Sequence, residues 1–238
     1  VRDRELTVVL RTVSLVRLAC CSGDLTVGSA SRLSRALSKI LLDCGRLLVD
    51  VDGLALTSTA RVALFPALLA RAGGWPEARM VLVGSPAAPV ARAMRLTGRD
   101  KEVPMAVDAA AGLAVLDRRP QRVRRTTTLP TDVQAPGFAR ELVRVAVADW
   151  ELTAALRDRA VAVASELVGN AVQHTEGPGE LTLTVDESGL GIAVRDGSPT
   201  RPARSERSGG LRVVAGLSDA RGVTPHPDGK AVWALLRP

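Results

Sequence analysis

One stretch divides the chain. Between Asp117 and Pro136 the residues are rich in Arg, Thr and Pro and carry no helical periodicity, while strand-like and helix-like segments alternate on either side. Such a break in a chain of 238 residues leaves two pieces of ordinary domain size, because single cores rarely grow beyond about 250 residues. The boundary is placed near Pro120, giving expected domains over residues 1–118 and 119–238. Hydrophobic residues make up 46% of the chain but aromatics only 2%, with no tyrosine, so Leu, Val and Ala must fill both cores.

In the first piece, Leu6 to Arg11 and Leu15 to Cys20 read as strands, followed by a helical pattern from Ala30 to Leu42. Leu47 to Val51 is a short apolar run of the kind buried on both faces of a sheet. A helix is expected from Ala60 to Ala72, closed by Gly73 and Gly74, with Pro66 marking a kink or a late start. Strands over Met80 to Gly84 and Val103 to Val107 alternate with helices over Pro89 to Leu96 and Ala109 to Leu116, which argues for an α/β layer structure.

The second piece begins with Thr126 to Leu129, whose alternating Thr and apolar residues suit an edge strand. Two helices follow, over Gly137 to Ala148 and Leu152 to His174. Gly177, Pro178 and Gly179 then turn the chain into a hairpin of Leu181 to Val185 and Gly191 to Arg195. A polar loop from Gly197 to Gly209, a short helix over Leu211 to Leu217 and strands near Ala220 to Val223 and Ala231 to Leu236 complete the order.

The formal net charge of +7 comes almost wholly from arginine, with Lys39, Lys101 and Lys230 the only lysines. Arg118, Arg119, Arg122, Arg124 and Arg125 cluster, but no stacking aromatic, zinc-finger or RNP-like pattern accompanies them. A solvated basic segment between domains is therefore expected, and nucleic-acid binding is not. Cys20, Cys21 and Cys44 are an odd number without metal-ligand spacing and read as small buried hydrophobes in a reducing cytosol. No run approaches about 18 apolar residues, so a soluble cytoplasmic protein is expected and no membrane association.

Glu166, Asn170 and His174 follow one another at steps of four and line one face of the second long helix. Val161, Ala164, Val168 and Val172 have a helical spacing of their own and are expected to anchor that helix to a sheet. An amide oxygen suits Mg2+, which takes oxygen ligands and keeps several waters, and a carboxylate suits orienting or deprotonating a nucleophile. Taken alone, these three residues fit a solvated polar face better than a nucleotide pocket.

The order ELVGNAVQH, hairpin, VRDGSP, SGGLRVVAGLSD and GKAVW resembles the GHKL superfamily along its ATP-binding core, from roughly Arg122 to Pro238. The short connection from Asp196 to Gly210 is most similar to the serine kinases that act as bacterial anti-sigma factors. The resemblance implies an ATP site with Glu166 as catalytic base, Asn170 as Mg2+ ligand and Asp196 as adenine contact. His174, Gly197, Gly209, Gly210 and Leu211 would complete the nucleotide contacts, the paired glycines at a helix N-terminus facing phosphate oxygens. Ala231 stands where a threonine commonly binds adenine through water, and Ser208 and Ser198-Pro199 also depart from the family's glycine-rich pattern. Arg201, Arg204 and Arg207 form either a charge-neutralising lid or an ordinary basic loop.

SGDLTVGSASRLSRAL through RLLVDVDGLALTSTARVAL resembles a STAS domain, the fold of the antagonist proteins that such kinases phosphorylate. At the phosphoacceptor turn the chain reads Thr57-Ser58-Thr59-Ala60, so Ser58 is a candidate acceptor or a helix cap. The expected architecture is α/β throughout: an N-terminal STAS-like domain plus a C-terminal GHKL, or Bergerat-type, two-layer α/β sandwich. The expected activity is ATP-dependent serine kinase and anti-sigma switching. The partners would be a sigma factor or a STAS antagonist, and a homodimer is compatible with the sequence without being demanded by it. The alternative is a nucleotide-binding interaction protein without catalysis.

Overall fold

A computed structural model describes residues 4–174, 179–197, 209–227 and 229–238. The lid arginines Arg201, Arg204 and Arg207, the Ser198-Pro199 and Ser208 departures, and the turn residues Gly177 and Pro178 lie outside the described residues. The chain forms two compact units, Val1–Arg124 and Arg125–Pro238.

The first unit holds a five-stranded sheet in the order β1 (Thr7–Val13), β2 (Val16–Leu25), β3 (Arg46–Leu56), β4 (Arg79–Val83) and β5 (Met105–Ala106). The first pair is an antiparallel hairpin and every later pairing is parallel, each parallel step spanning a helical crossover. The crossovers are α1 (Val27–Cys44), α2 (Leu64–Arg71) and α3 (Pro89–Leu96), and α4 (Ala109–Leu116) follows β5. Leu47, Leu48 and Val49 of β3 are all fully buried, as expected of a strand covered on both faces.

The strand's two sides feed two cores. Leu47 and Val49 join Leu33, Leu37 and Leu41 of α1 and Phe65 near α2 on one face. Leu48 joins Val81, Val83 and Leu116 of α4 on the other. There α4 lies close enough that a Cβ on Gly112 would meet the Leu48 and Val83 side chains at 3.2 and 3.1 Å.

Local chemistry fixes the boundaries. Thr26 and Ser29 form a reciprocal capping box at the start of α1, and Gly45 closes it at a φ of 65°. The helix expected from Ala60 begins instead as a 3₁₀ turn over Thr59–Ala63, and α2 starts late enough to put Pro66 in its first turn, where no backbone N–H is needed. Only Met105 and Ala106 of the expected strand from Val103 join the sheet, Pro104 having no N–H to donate.

The second unit is a two-layer α/β structure. Its sheet runs β6 (Val123–Thr128), β7 (Glu180–Asp186), β8 (Gly189–Asp196), β10 (Gly229–Leu236) and β9 (Ala220–His226). Helices α5 (Ala135–Asp149) and α6 (Ala154–His174) pack on this sheet, and α7 (Gly209–Leu217) packs on α6. The edge position expected for the Thr-rich strand is the one observed: β6 lies at the sheet margin, with Thr126 Oγ1 3.1 Å from Thr182 Oγ1.

Two expectations are corrected. Arg125 is not solvated: it is 7% exposed, donates to Asp149 Oδ2 at 2.9 Å and stacks 5.8 Å from the Trp150 ring centre. Arg122 and Arg124 stand 4.0 and 3.8 Å from the buried Glu102 carboxylate, so counter-charges inside the protein engage these members of the basic cluster. Of the cysteines, Cys21 is buried but Cys44, at the C-terminal end of α1, is exposed.

Burial, ahead of the nearby Asp50 and Cys20, pushes the Cys21 thiol up to about 12. Alkylation at pH 8 followed by peptide mass spectrometry is therefore expected to modify Cys44 and leave Cys21 unmodified until denaturant is added.

Candidate functional site

Along β8, Leu190, Ile192, Val194 and Asp196 share one side, because alternate strand residues face alike. Their partners on β10 are Leu236, Ala234, Val232 and Lys230. Both columns run apolar beneath the helices and end in a charge. Lys230 Nζ donates to Asp196 Oδ1 at 3.0 Å, with the two side chains 8% and 3% exposed.

A glycine makes the closure between these strands feasible. Gly229 has a φ of 147°, and a Cβ there would lie 1.9 Å from the Asp196 carbonyl oxygen and 3.0 Å from Gly197 Cα. The end of β8 and the start of β10 thus touch backbone to backbone, with Gly197 leading the chain out.

Helix α6 carries Glu166 and Asn170, both half-buried, and ends at His174. Its buried stripe is Ala160, Val163, Ala164, Leu167, Val168 and Ala171. Ala164 and Val168 face inward as expected, whereas Val161 and Val172 are only half-buried. The stripe is rotated and widened because α6 packs against α5 and α7 as well as the sheet. The Asn170 Nδ2 atom is shielded from water and has no hydrogen-bond partner among the described residues.

Two connections fix which way α6 points. Its C-terminal end leads to Glu180 of β7, which pairs with Arg195, so the chain re-enters the sheet at the end where Asp196 stands. At the other end Arg159 donates through Nε and Nη2 to the Leu217 carbonyl at 3.2 and 3.1 Å. It also donates to the Arg237 carbonyl and the Asp219 carboxylate, at 2.9 Å each.

Arg159 therefore binds the C-terminus of α7 near the start of α6. Gly209, Gly210 and Leu211, placed by sequence at the helix N-terminus, are the first three residues of α7. The C-terminal end of α6, which carries Asn170 and His174, and the Asp196–Gly197 end of β8 thus belong to one end of the layer. A carboxylate and an amide at that end suit a ligand with a polar ring.

Two residues of this framework escaped the sequence reading. Lys230 was legible, since Lys230, Val232, Ala234 and Leu236 alternate and put the lysine on the buried side; Arg159 left no periodic signal. In the first unit, Ser58 accepts from the Ala60 amide at 3.3 Å and caps the 3₁₀ turn, which is the capping role weighed for it.

No family model matches the chain, and no curated protein matches it. Among solved structures it is similar to an anti-sigma factor antagonist from Mycobacterium paratuberculosis, with 23% identity and a TM-score of 0.41 over 47% of this chain and 94% of that one. It is also similar to the RsbU and RsbW domains of a protein from Mycobacterium tuberculosis, with 18% identity and a TM-score of 0.40 over 48% of this chain and 31% of that one.

Two outcomes test the framework. Gly229→Ala is expected to lower stability by at least about 1–3 kcal/mol in urea unfolding, because the new Cβ meets backbone that has nowhere to move. The Arg237 amide, ahead of the Arg159 guanidinium, holds the Asp219 carboxyl below the ordinary carboxylate range. That stabilisation is complete above the unfolded-state value near 4 and is lost as pH falls through the lower folded-state value. Arg159→Ala should therefore melt earlier than the parent at neutral pH, and the gap should narrow in melts taken below about pH 4.

Proposed function

We propose that the second unit binds Mg-ATP at the Asp196 end of its sheet and that the chain is a partner-switching regulator with protein-serine kinase activity. The observation that supports it most is that Asp196 and the C-terminal end of α6, which carries Asn170, lie at that one end. The residues present fit the ligand. Asn170 offers an amide oxygen for Mg2+ and keeps an unsatisfied buried nitrogen beside it.

In this reading Asp196 accepts from the adenine amino group, and the first amides of α7 face the phosphates. Bound ATP supplies the γ-phosphoryl group. Glu166 takes the proton from a serine hydroxyl of a STAS-type antagonist as the new O–P bond forms and ADP departs. Sequestration of a sigma factor would be the output of the nucleotide-bound state.

A second reading has an observation of its own. The Asp196 carboxylate already has a counter-ion within the fold, so the unit is compatible with an interaction module in which nucleotide binding drives no chemistry.

Calorimetric titration of Mg-ATP tests the first step: binding is expected for the parent and is expected to be lost in Asp196→Ala and Asn170→Ala. Glu166→Ala should keep ATP affinity while abolishing transfer of labelled phosphate to an antagonist protein. Transfer that persists in that variant would remove Glu166 from the mechanism, and no parental binding at millimolar ATP would refute the site.

A further inference from the structure

The two inner columns of β8 and β10 are aliphatic at every position except their last, where Asp196 and Lys230 meet nearly dry. Stability does not explain a pair in that place, because well-packed apolar residues of similar volume commonly replace a buried ion pair without loss. Continuing the register of β7 by one residue brings Gly179 alongside Asp196 from the other strand, and it contributes no side chain. Lys230 is thus the neighbouring-strand side chain that sets how the carboxylate presents itself.

We infer that Lys230 is a positioning residue that determines base specificity: by donating to Asp196 Oδ1 it holds the carboxylate as a hydrogen-bond acceptor and selects a 6-amino purine over a 6-oxo purine. This rests on the reading of the second unit as a purine nucleotide site. A carboxylate receiving an ammonium proton is acceptor-only, so it takes an exocyclic amino group and sets lone pair against lone pair with a 6-oxo carbonyl. Without the ammonium, the carboxylate loses the partner that fixes its orientation, and its acceptor lone pairs are no longer set toward the base. Sites built around a hydrogen bond discriminate strongly when the complementary group is missing.

The experiment compares Mg-ATP with Mg-ITP, which differ at the 6-position, by calorimetric titration of the full chain. The parent is expected to prefer ATP by at least about tenfold. In Lys230→Met the preference should collapse toward unity, chiefly through weaker ATP binding, while Lys230→Arg should retain it. Asp196→Asn, nearly isosteric, keeps Oδ1 facing Lys230 and turns the amide NH2 toward the base, so its preference should invert to ITP.

Equal weakening of both nucleotides in Lys230→Met would make the lysine merely structural and overturn the inference. An ATP preference unchanged in Asp196→Asn would overturn it even if the methionine variant failed to fold. A parent that binds both nucleotides alike would overturn the inference while leaving the nucleotide site in place. A parent that binds neither would overturn both.

Discussion

The antiparallel pairing of β8 with β10 is the constraint from which the second unit's site follows. Asp196 stands opposite Lys230, Val194 opposite Val232 and Ile192 opposite Ala234, so a single register decides which residues lie under α5 and α6. A slip of one residue would carry the apolar columns to the outer face and the charges with them. Gly229 holds that register at its open end, since a Cβ on this residue would fall 1.9 Å from the Asp196 carbonyl oxygen. The opposite end is held by Arg159, whose guanidinium joins the end of α7, Asp219 and the carbonyl of Arg237. The layer is therefore fixed at both ends, with the Asp196–Lys230 pair at the one that Gly229 closes.

Much of this was legible in the sequence because period-two and period-four patterns are local. The bounds of α3 and α4 coincide with the runs Pro89 to Leu96 and Ala109 to Leu116, where a leading proline and the Asp108 cap mark the starts. The strand Leu47 to Val51 was recognisable by its unbroken apolar run, and the Thr-rich β6 by its edge chemistry. What misled was tertiary. Val161 and Val172 fit a helical stripe yet are not its centre, because α6 is covered from three directions and its buried arc is wider than one strip. Arg125 looked like part of a solvated basic run, since nothing local reveals that Asp149 and Trp150 will close over it.

The scarcity of aromatic side chains shapes the first unit as well. With Phe65 and a few methionines as its bulkier members, the main core is filled by leucines and valines from α1, β3 and β4. Aliphatic side chains pack closely only if the layers approach, and Gly112 shows how near α4 comes to Leu48 and Val83. Ser58 and Thr57 are held by local hydrogen bonds: one caps the 3₁₀ turn and the other donates to the Leu25 carbonyl at 3.0 Å. A turn so engaged is a structural joint first, and a phosphoryl group on Ser58 would have to displace the cap.

The strand side and the helix side of the polar end differ in how far the protein itself satisfies them. Asp196 and Lys230 neutralise one another in place, and breaking such a pair by removing one partner typically costs about 3–5 kcal/mol. Asn170, by contrast, holds a shielded amide nitrogen with no partner among the described residues, a condition that costs about 1–3 kcal/mol when uncompensated. A ligand that meets a preset acceptor at one end and relieves an unsatisfied amide at the other would account for both features at once.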